Sequence, residues 1–196
     1  MRKKITLGCI IGFVAVIIII GIVLVAYVVD SRNKMVAKEI EIENAWAQVQ
    51  VVYQRRLDLV PNLAESTRAY MQLEKDILET IAEARAGIQN AETPAEIENA
   101  SAEIGSLIDD IRVVVEDTPE LKASETVRDL MVQLEGTENR IAVERGRFNE
   151  TIRDYNTYIK LFPRNIIAGR FGFEAKEFFE AEEGAETVPE VDLELE

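Results

Sequence analysis

An uncharged run from Ile5 to Val29 constrains this chain more than any other feature. Ile5, Ile10, Ile11, Val14, Val16, the run Ile17 to Ile20, and Ile22 to Val25 make it almost wholly aliphatic. As a helix it would extend roughly 37 Å, at about 1.5 Å per residue, against about 30 Å of bilayer hydrocarbon. The expectation is one membrane-crossing helix, somewhat tilted. A cleavable secretory signal has a shorter apolar core and a small-x-small cleavage site, and Val25-Ala26-Tyr27-Val28 lacks the small pair. Cys9 precedes most of the apolar run, which argues against a lipoprotein signal. The segment therefore reads as an uncleaved anchor. Inside it, Gly8 and Gly12 form a G-x-x-x-G pair of the kind that lets two membrane helices approach closely.

Beyond the anchor the chain is long enough for one domain with its own core. Its chemistry is narrowed by what the composition omits. A formal net charge of −14 opposes binding to phosphate backbones, so nucleic acid is not an expected partner. There is no histidine, and the one cysteine, Cys9, lies within the anchor. That removes intrachain disulfides, thiol catalysis and Cys/His zinc sites from the remainder of the chain. No P-loop, nucleophile elbow or Glu-x-x-His pair is present. The chain is expected to carry no catalytic, cofactor or metal-binding residues. An enzyme using carboxylates and a divalent metal is the weakest of the readings left open.

Orientation is marked by cations. Arg2, Lys3, Lys4 and the amino terminus precede the anchor, and Arg32, Lys34 and Lys38 come after it. The positive-inside rule favours a cytoplasmic N-terminus in the cell membrane, with the domain outside the cytoplasm.

From Met35 onward, apolar residues recur at helical period. Ile42, Trp46, Val49, Tyr53, Leu57 and Val60 share one face, with only a weak break expected between Asp30 and Asn33. Pro61 lacks an N–H and crowds the preceding turn, so a kink or restart is expected there, with Asp58 as a cap. A heptad-like stripe continues through positions 63, 67, 70, 74, 77, 81, 84 and 88, with Thr67 and Glu74 as polar intruders. Thr93-Pro94-Ala95-Glu96 is a helix start with a capping box, and Thr118-Pro119 repeats the first part of that signal. Ile97, Ala100, Ile104, Ile108, Ile111 and Val115 mark one helix. Val127, Leu130, Met131, Leu134, Ile141, Phe148, Ile152, Tyr155, Ile159 and Phe162 mark a longer one, stopped by Pro163. No stretch alternates with the two-residue period of a strand. Asn165 to Phe173 is short and punctuated by glycine. The chain turns acidic from Glu174, where Phe178 and Phe179 are the side chains able to dock before a disordered end.

The expected fold class is all-α: an N-terminal transmembrane helix, an antiparallel bundle of long helices and an acidic C-terminal tail, divided at 1–33, 34–173 and 174–196. A helical wheel puts Arg145 between Ile141, Phe148 and Ile152, with Glu138 and Glu144 on its shoulders, while Arg56 flanks the first apolar face. Buried charges are costly unless paired. A core network of Arg56, Glu74, Glu144 and Arg145 is therefore expected; side chains reaching out to solvent at the bundle edge are the alternative.

These residues also carry a family resemblance. Trp46-Ala47-Gln48-Val49 and Tyr53-Gln54-Arg55-Arg56-Leu57-Asp58-Leu59-Val60-Pro61-Asn62-Leu63 resemble the LemA family signature, continued by Glu74 and Ala84-Arg85. Glu138 to Arg145, Phe148-Asn149-Glu150, Asp154-Tyr155-Asn156, Phe162-Pro163 with Asn165, and Ile167-Ala168 resemble its second block. Phe178-Phe179-Glu180-Ala181, Val188-Pro189 and Val191-Asp192 echo its tail. Gly146 departs from the arginine frequent in relatives, and Leu193 to Glu196 is particular to this chain. The resemblance implies one N-terminal membrane helix and an all-α bundle, with no agreed activity. Some relatives act in building magnetosome membranes. Sequence and resemblance together suggest a membrane-anchored scaffold or adaptor whose partners are the lipid bilayer, further copies of itself and other membrane proteins. A transmembrane sensor or signalling module is the alternative.

Overall fold

The computed structural model describes residues 2–70 and 76–180, with side chains described from 12 to 70 and from 79 to 180. Every regular element among them is a helix: α1 (Arg2–Thr67), α2 (Asp76–Asn90), α3 (Pro94–Asp117), α4 (Pro119–Ala123), α5 (Glu125–Lys160) and α6 (Arg164–Phe171). The chain divides into two compact units. One comprises Met1–Val51 with Gly146–Lys176, and the other Val52–Arg145 with Glu177–Glu196. Both α1 and α5 contribute to each.

In the first unit the aliphatic stretch is bare. Phe13, Ile17 to Ile20 and Ile22 to Val25 are all more than half exposed, on a helix long and apolar enough to cross a membrane. From Ser31 the same helix acquires a covered face, Ser31, Met35, Ile42 and Val49, at near-heptad spacing. The C-terminal part of α5 lies against it and runs the opposite way. Trp46 meets Phe148 at 5.3 Å between ring centroids, Tyr155 reaches Glu39, and Lys38 lies 5.9 Å from the Tyr158 ring. As one number rises the other falls, which is the signature of antiparallel neighbours. Asn156 then clasps the segment after α6. Its Nδ2 donates to the Lys176 carbonyl and its Oδ1 accepts from the Lys176 N–H, both at 2.9 Å. This pair of hydrogen bonds from one buried amide satisfies both backbone groups of Lys176.

In the second unit, Tyr53, Leu57, Val60, Leu63 and Thr67 of α1 are buried, as are Ile81, Ala84 and Ile88 of α2, and Ile97, Ile104, Ile108 and Ile111 of α3. α2 and α3 form a hairpin over a three-residue connection, Ala91 to Thr93, and pack on each other. The expected capping box is present: Glu96 N–H donates to the Thr93 hydroxyl, and the Glu96 carboxylate accepts from Thr93 N–H.

Several expectations require correction. No break occurs at Asp30 to Asn33, and no restart at Pro61, since α1 continues through the proline to Thr67. Apolar burial on both sides of Pro61, by Leu57, Val60, Leu63 and Ala64, outweighs its lost hydrogen bond. Asp58 does not cap a new helix; it accepts from Gln54 and from Arg85 of α2. The polar intruder Thr67 is fully buried and donates to the carbonyls of Leu63 and Ala64. Tyr70 falls past the end of α1 and is exposed. The helix begun at Thr118 lasts one short turn, and the long helix starts at Glu125. Phe162, expected to end the α5 stripe in the core, is 80% exposed because α5 stops at Lys160 and takes it out of phase. The stretch after Pro163 is a helix, α6, closed by Gly172 at φ 78°, a left-handed conformation that glycine adopts without a Cβ clash. Phe179 is buried, as expected for a docking aromatic, whereas the tail beyond 180, expected to be disordered, lies outside the described residues.

Candidate functional site

The second unit contains a polar cleft of about 630 Å³ between its helices. Three guanidinium groups, Arg56, Arg112 and Arg145, and four carboxylates, Glu98, Asp109, Glu138 and Glu180, line it together with Tyr53 and Ser101. On α3, Glu98, Ser101, Gly105, Asp109 and Arg112 recur at spacings of three and four, so helical period alone puts them in one stripe. Arg56 reaches this stripe: a Cβ on Gly105 would be in ordinary contact with Arg56 Nη2, at 3.8 Å.

Two cross-helix ion pairs organise the cleft. Arg56 of α1 donates from Nη2 to Glu138 Oε1 of α5 at 3.2 Å. Arg145 of α5 donates from Nη2 to Glu98 of α3, and also to the Glu180 carbonyl at 3.2 Å. The Arg145 guanidinium also lies 4.8 Å from the centre of the Phe179 ring, a cation–π contact that fixes the start of the acidic segment. Arg56 and Arg145 are largely covered, with side-chain exposures of 16% and 21%. Arg56 Nε is fully buried without a hydrogen-bond partner. Burial pushes the Tyr53 phenol above its ordinary range, with the nearby Arg145 opposing, so it stays neutral.

The sequence expectation brought Arg56 and Arg145 to one place, and both line this cleft. The carboxylates they hold, however, are Glu138 and Glu98. Glu144 is half-buried next to Arg145 on the same helix, and Glu74 lies outside the described residues. Glu98 was missed because a wheel of α3 drawn around its isoleucines hides the polar stripe beside them. Gly12 meets nothing within 4 Å of its Cβ position, and the surroundings of Gly8 lie outside the described side chains.

Chemically, this arrangement is suited to holding helices together. The Ser101 hydroxyl donates to the Glu98 carbonyl, Tyr53 is neutral, and the two best-covered cations are engaged by carboxylates. Among the described residues, no three carboxylates form a group able to hold a metal ion.

The family model described as the LemA family matches residues 45–193, most of the chain. This chain belongs to the LemA family. The Protein LemA of Metamycoplasma hominis is 26% identical over 171 residues, covering 85% of this chain and 76% of that protein. Magnetosome protein MamQ 2 of Paramagnetospirillum magneticum is 30% identical over 88 residues, covering 45% of this chain and 32% of that protein. The MamQ of Magnetospirillum gryphiswaldense is 28% identical over a stretch of the same length. The match to the magnetosome proteins thus spans about a third of their length. Membership in the LemA family agrees with the all-α architecture and with the aliphatic helix that precedes the matched region.

Proposed function

We propose that this LemA-family chain is a membrane-anchored helical scaffold or adaptor that self-associates and organises other membrane proteins or the membrane itself. The observation that carries this reading is α1: one unbroken helix of 66 residues bears both the bare aliphatic surface and a covered face in each compact unit. In this reading α1 crosses the cell membrane once. Arg2, Lys3 and Lys4 stay in the cytoplasm and the helical units lie outside it. The cleft supports a structural role, because each of its three arginines is paired with a carboxylate. Confinement to a bilayer raises the effective concentration of neighbouring copies, so weak lateral contacts become populated. The open Gly12 position offers one such contact within the membrane. The name of the MamQ relatives, magnetosome protein, is in keeping with a role at membranes.

Mass photometry of the full chain in mild detergent tests the reading. The expected result is an assembly larger than a dimer that strengthens as salt screens the −14 charge. A monomer at every salt concentration would overturn it. Crosslinking in native membranes followed by mass spectrometry identifies the partners. A sensor is the second reading, favoured by the absence of any break at Asp30 to Asn33, which makes α1 stiff enough to carry a change across the bilayer.

A further inference from the structure

The turn between α5 and α6 presents an apolar surface that this chain leaves uncovered. Leu161, Phe162, Ile166 and Phe171 are 51%, 80%, 63% and 48% exposed. Four large apolar side chains bared within so short a stretch are unusual on a surface that faces water alone. Their neighbours Ile167 and Ala168 are buried, so α6 has an inner face as well as this outer one.

Their position decides what covers them. Arg32 lies over the Phe171 ring at 5.6 Å, and Arg164 over the Tyr158 ring at 4.1 Å. Lys34, bonded to Asp30 at 2.8 Å, lies within the electrostatic field of Tyr158 and Arg164. The turn is therefore level with the first residues beyond Val29; Arg32 is only about 4.5 Å farther along the helix than the last aliphatic residue. Charge points the same way. Between Thr157 and Phe173 there are Lys160, Arg164 and Arg170 and no carboxylate, in a chain of net charge −14. Apolar side chains fringed by cations, at the depth where an apolar helix ends, suit the headgroup layer of a phospholipid bilayer. A second copy would set this cationic fringe against itself.

We propose that the α5–α6 turn, with Leu161, Phe162 and Ile166 at its tip, is immersed in the interfacial layer of the bilayer that α1 crosses, giving the soluble part a second foothold on the membrane. This rests on the reading of α1 as a spanning anchor. Lys160, Arg164 and Arg170 then sit at phosphate level, and the aromatic Phe162 occupies the boundary between hydrocarbon and headgroups.

Site-directed spin labelling of the full chain in phosphatidylcholine nanodiscs tests this. In a Cys9→Ser background, one nitroxide is placed at Ile19→Cys, Phe162→Cys, Ile166→Cys or Val51→Cys. Val51 is an exposed apolar residue about 33 Å beyond Val29 on the same helix. Accessibility to oxygen is compared with accessibility to a polar nickel chelate. The expected result is a ratio at Phe162 and Ile166 several-fold above that at Val51 and below that at Ile19. Labels at Phe162 and Ile166 that match Val51, with Ile19 in hydrocarbon, overturn the foothold and leave the anchor standing. Labels shielded from both reagents mean that protein covers the turn, which also overturns it. An aqueous value at Ile19 removes the anchor and the proposal with it. All four positions are exposed, and circular dichroism of each labelled chain verifies the fold.

Discussion

Gly87 occupies a position where a single methyl group would collide. A Cβ there would lie 2.7 Å from the Cβ of Ala100, and neither atom can swing aside. At Gly136, within α5, the same Cβ would meet nothing within 4 Å. Alanine is favoured over glycine in a helix by about 1 kcal/mol, whereas overpacking costs about 1–3 kcal/mol. Gly87→Ala should therefore lower the stability of the full chain by up to about 2 kcal/mol. Gly136→Ala should raise it by up to about 1 kcal/mol. Denaturant unfolding followed by circular dichroism reads both, and shifts of the same sign would contradict the packing described for Gly87. Tyr155 gives a pH dependence. It is fully buried, its hydroxyl donates to Glu39 at 3.2 Å, and burial, then the Glu39 charge, pushes its phenol above the ordinary 10.0. The folded chain thus holds this proton more tightly than the unfolded chain. The stability it contributes is complete below pH 10 and is lost as pH rises beyond that value. Tyr155→Phe should show a shallower alkaline decline than the parent, and parallel declines would refute the assignment. At this scale helical periodicity picked out most of the buried apolar side chains, though not the exposed Tyr70 and Phe162, and it put Arg56 and Arg145 beside that apolar face. It did not reveal their partners, because a helical wheel ranks the faces of one helix and says nothing about which helix lies opposite.

Two Thr-Pro pairs look alike in the sequence and behave differently as helix starts. After Thr93 the third helical position is Glu96, whose carboxylate reaches back to complete the box; after Thr118 that position is Leu121, which is buried instead. The Thr118 side chain makes no cap hydrogen bond, and α4 ends at Ala123. Ser124 then restarts the chain, its hydroxyl accepting from Val127 N–H at 3.5 Å. Thr93→Ala should cost about 1 kcal/mol, as the loss of a working cap does, while Thr118→Ala should cost a few tenths at most. Equal losses in melting experiments on the two variants would show that the box is not what starts α3. The helices themselves were legible from periodicity, and the α3 start from three coincident signals. The continuity of α1 through Pro61 was not, since a local rule for proline cannot weigh the burial of Leu57, Val60 and Leu63 around it. The early end of α5 was hidden for a related reason: Phe162 fits the apolar period, but the helix needed to display it stops at Lys160.

For the molecule as a whole, helix class and family were readable because both rest on patterns repeated along most of the chain. The division into two compact units was not readable, since two of its three boundaries fall inside the continuous helices α1 and α5, and the third follows Lys176. Charge is also uneven at this scale: the net −14 contrasts with the cationic stretch from Lys160 to Arg170. The unbroken course of α1 has one more consequence. An α-helix turns about 100° per residue, so without a break every position up to Val51 keeps a fixed bearing about the helix axis. Gly12 lies about 100–140° around from Ser31, Met35, Ile42 and Val49, off the covered face. A helix pairing at Gly12 would thus approach without disturbing the packing that begins at Ser31. One residue inserted after Val29 would swing those two bearings apart by about 100°, whereas seven would return them to within about 20°. The number of residues linking Val29 to Ser31 is therefore an angular setting as well as a length.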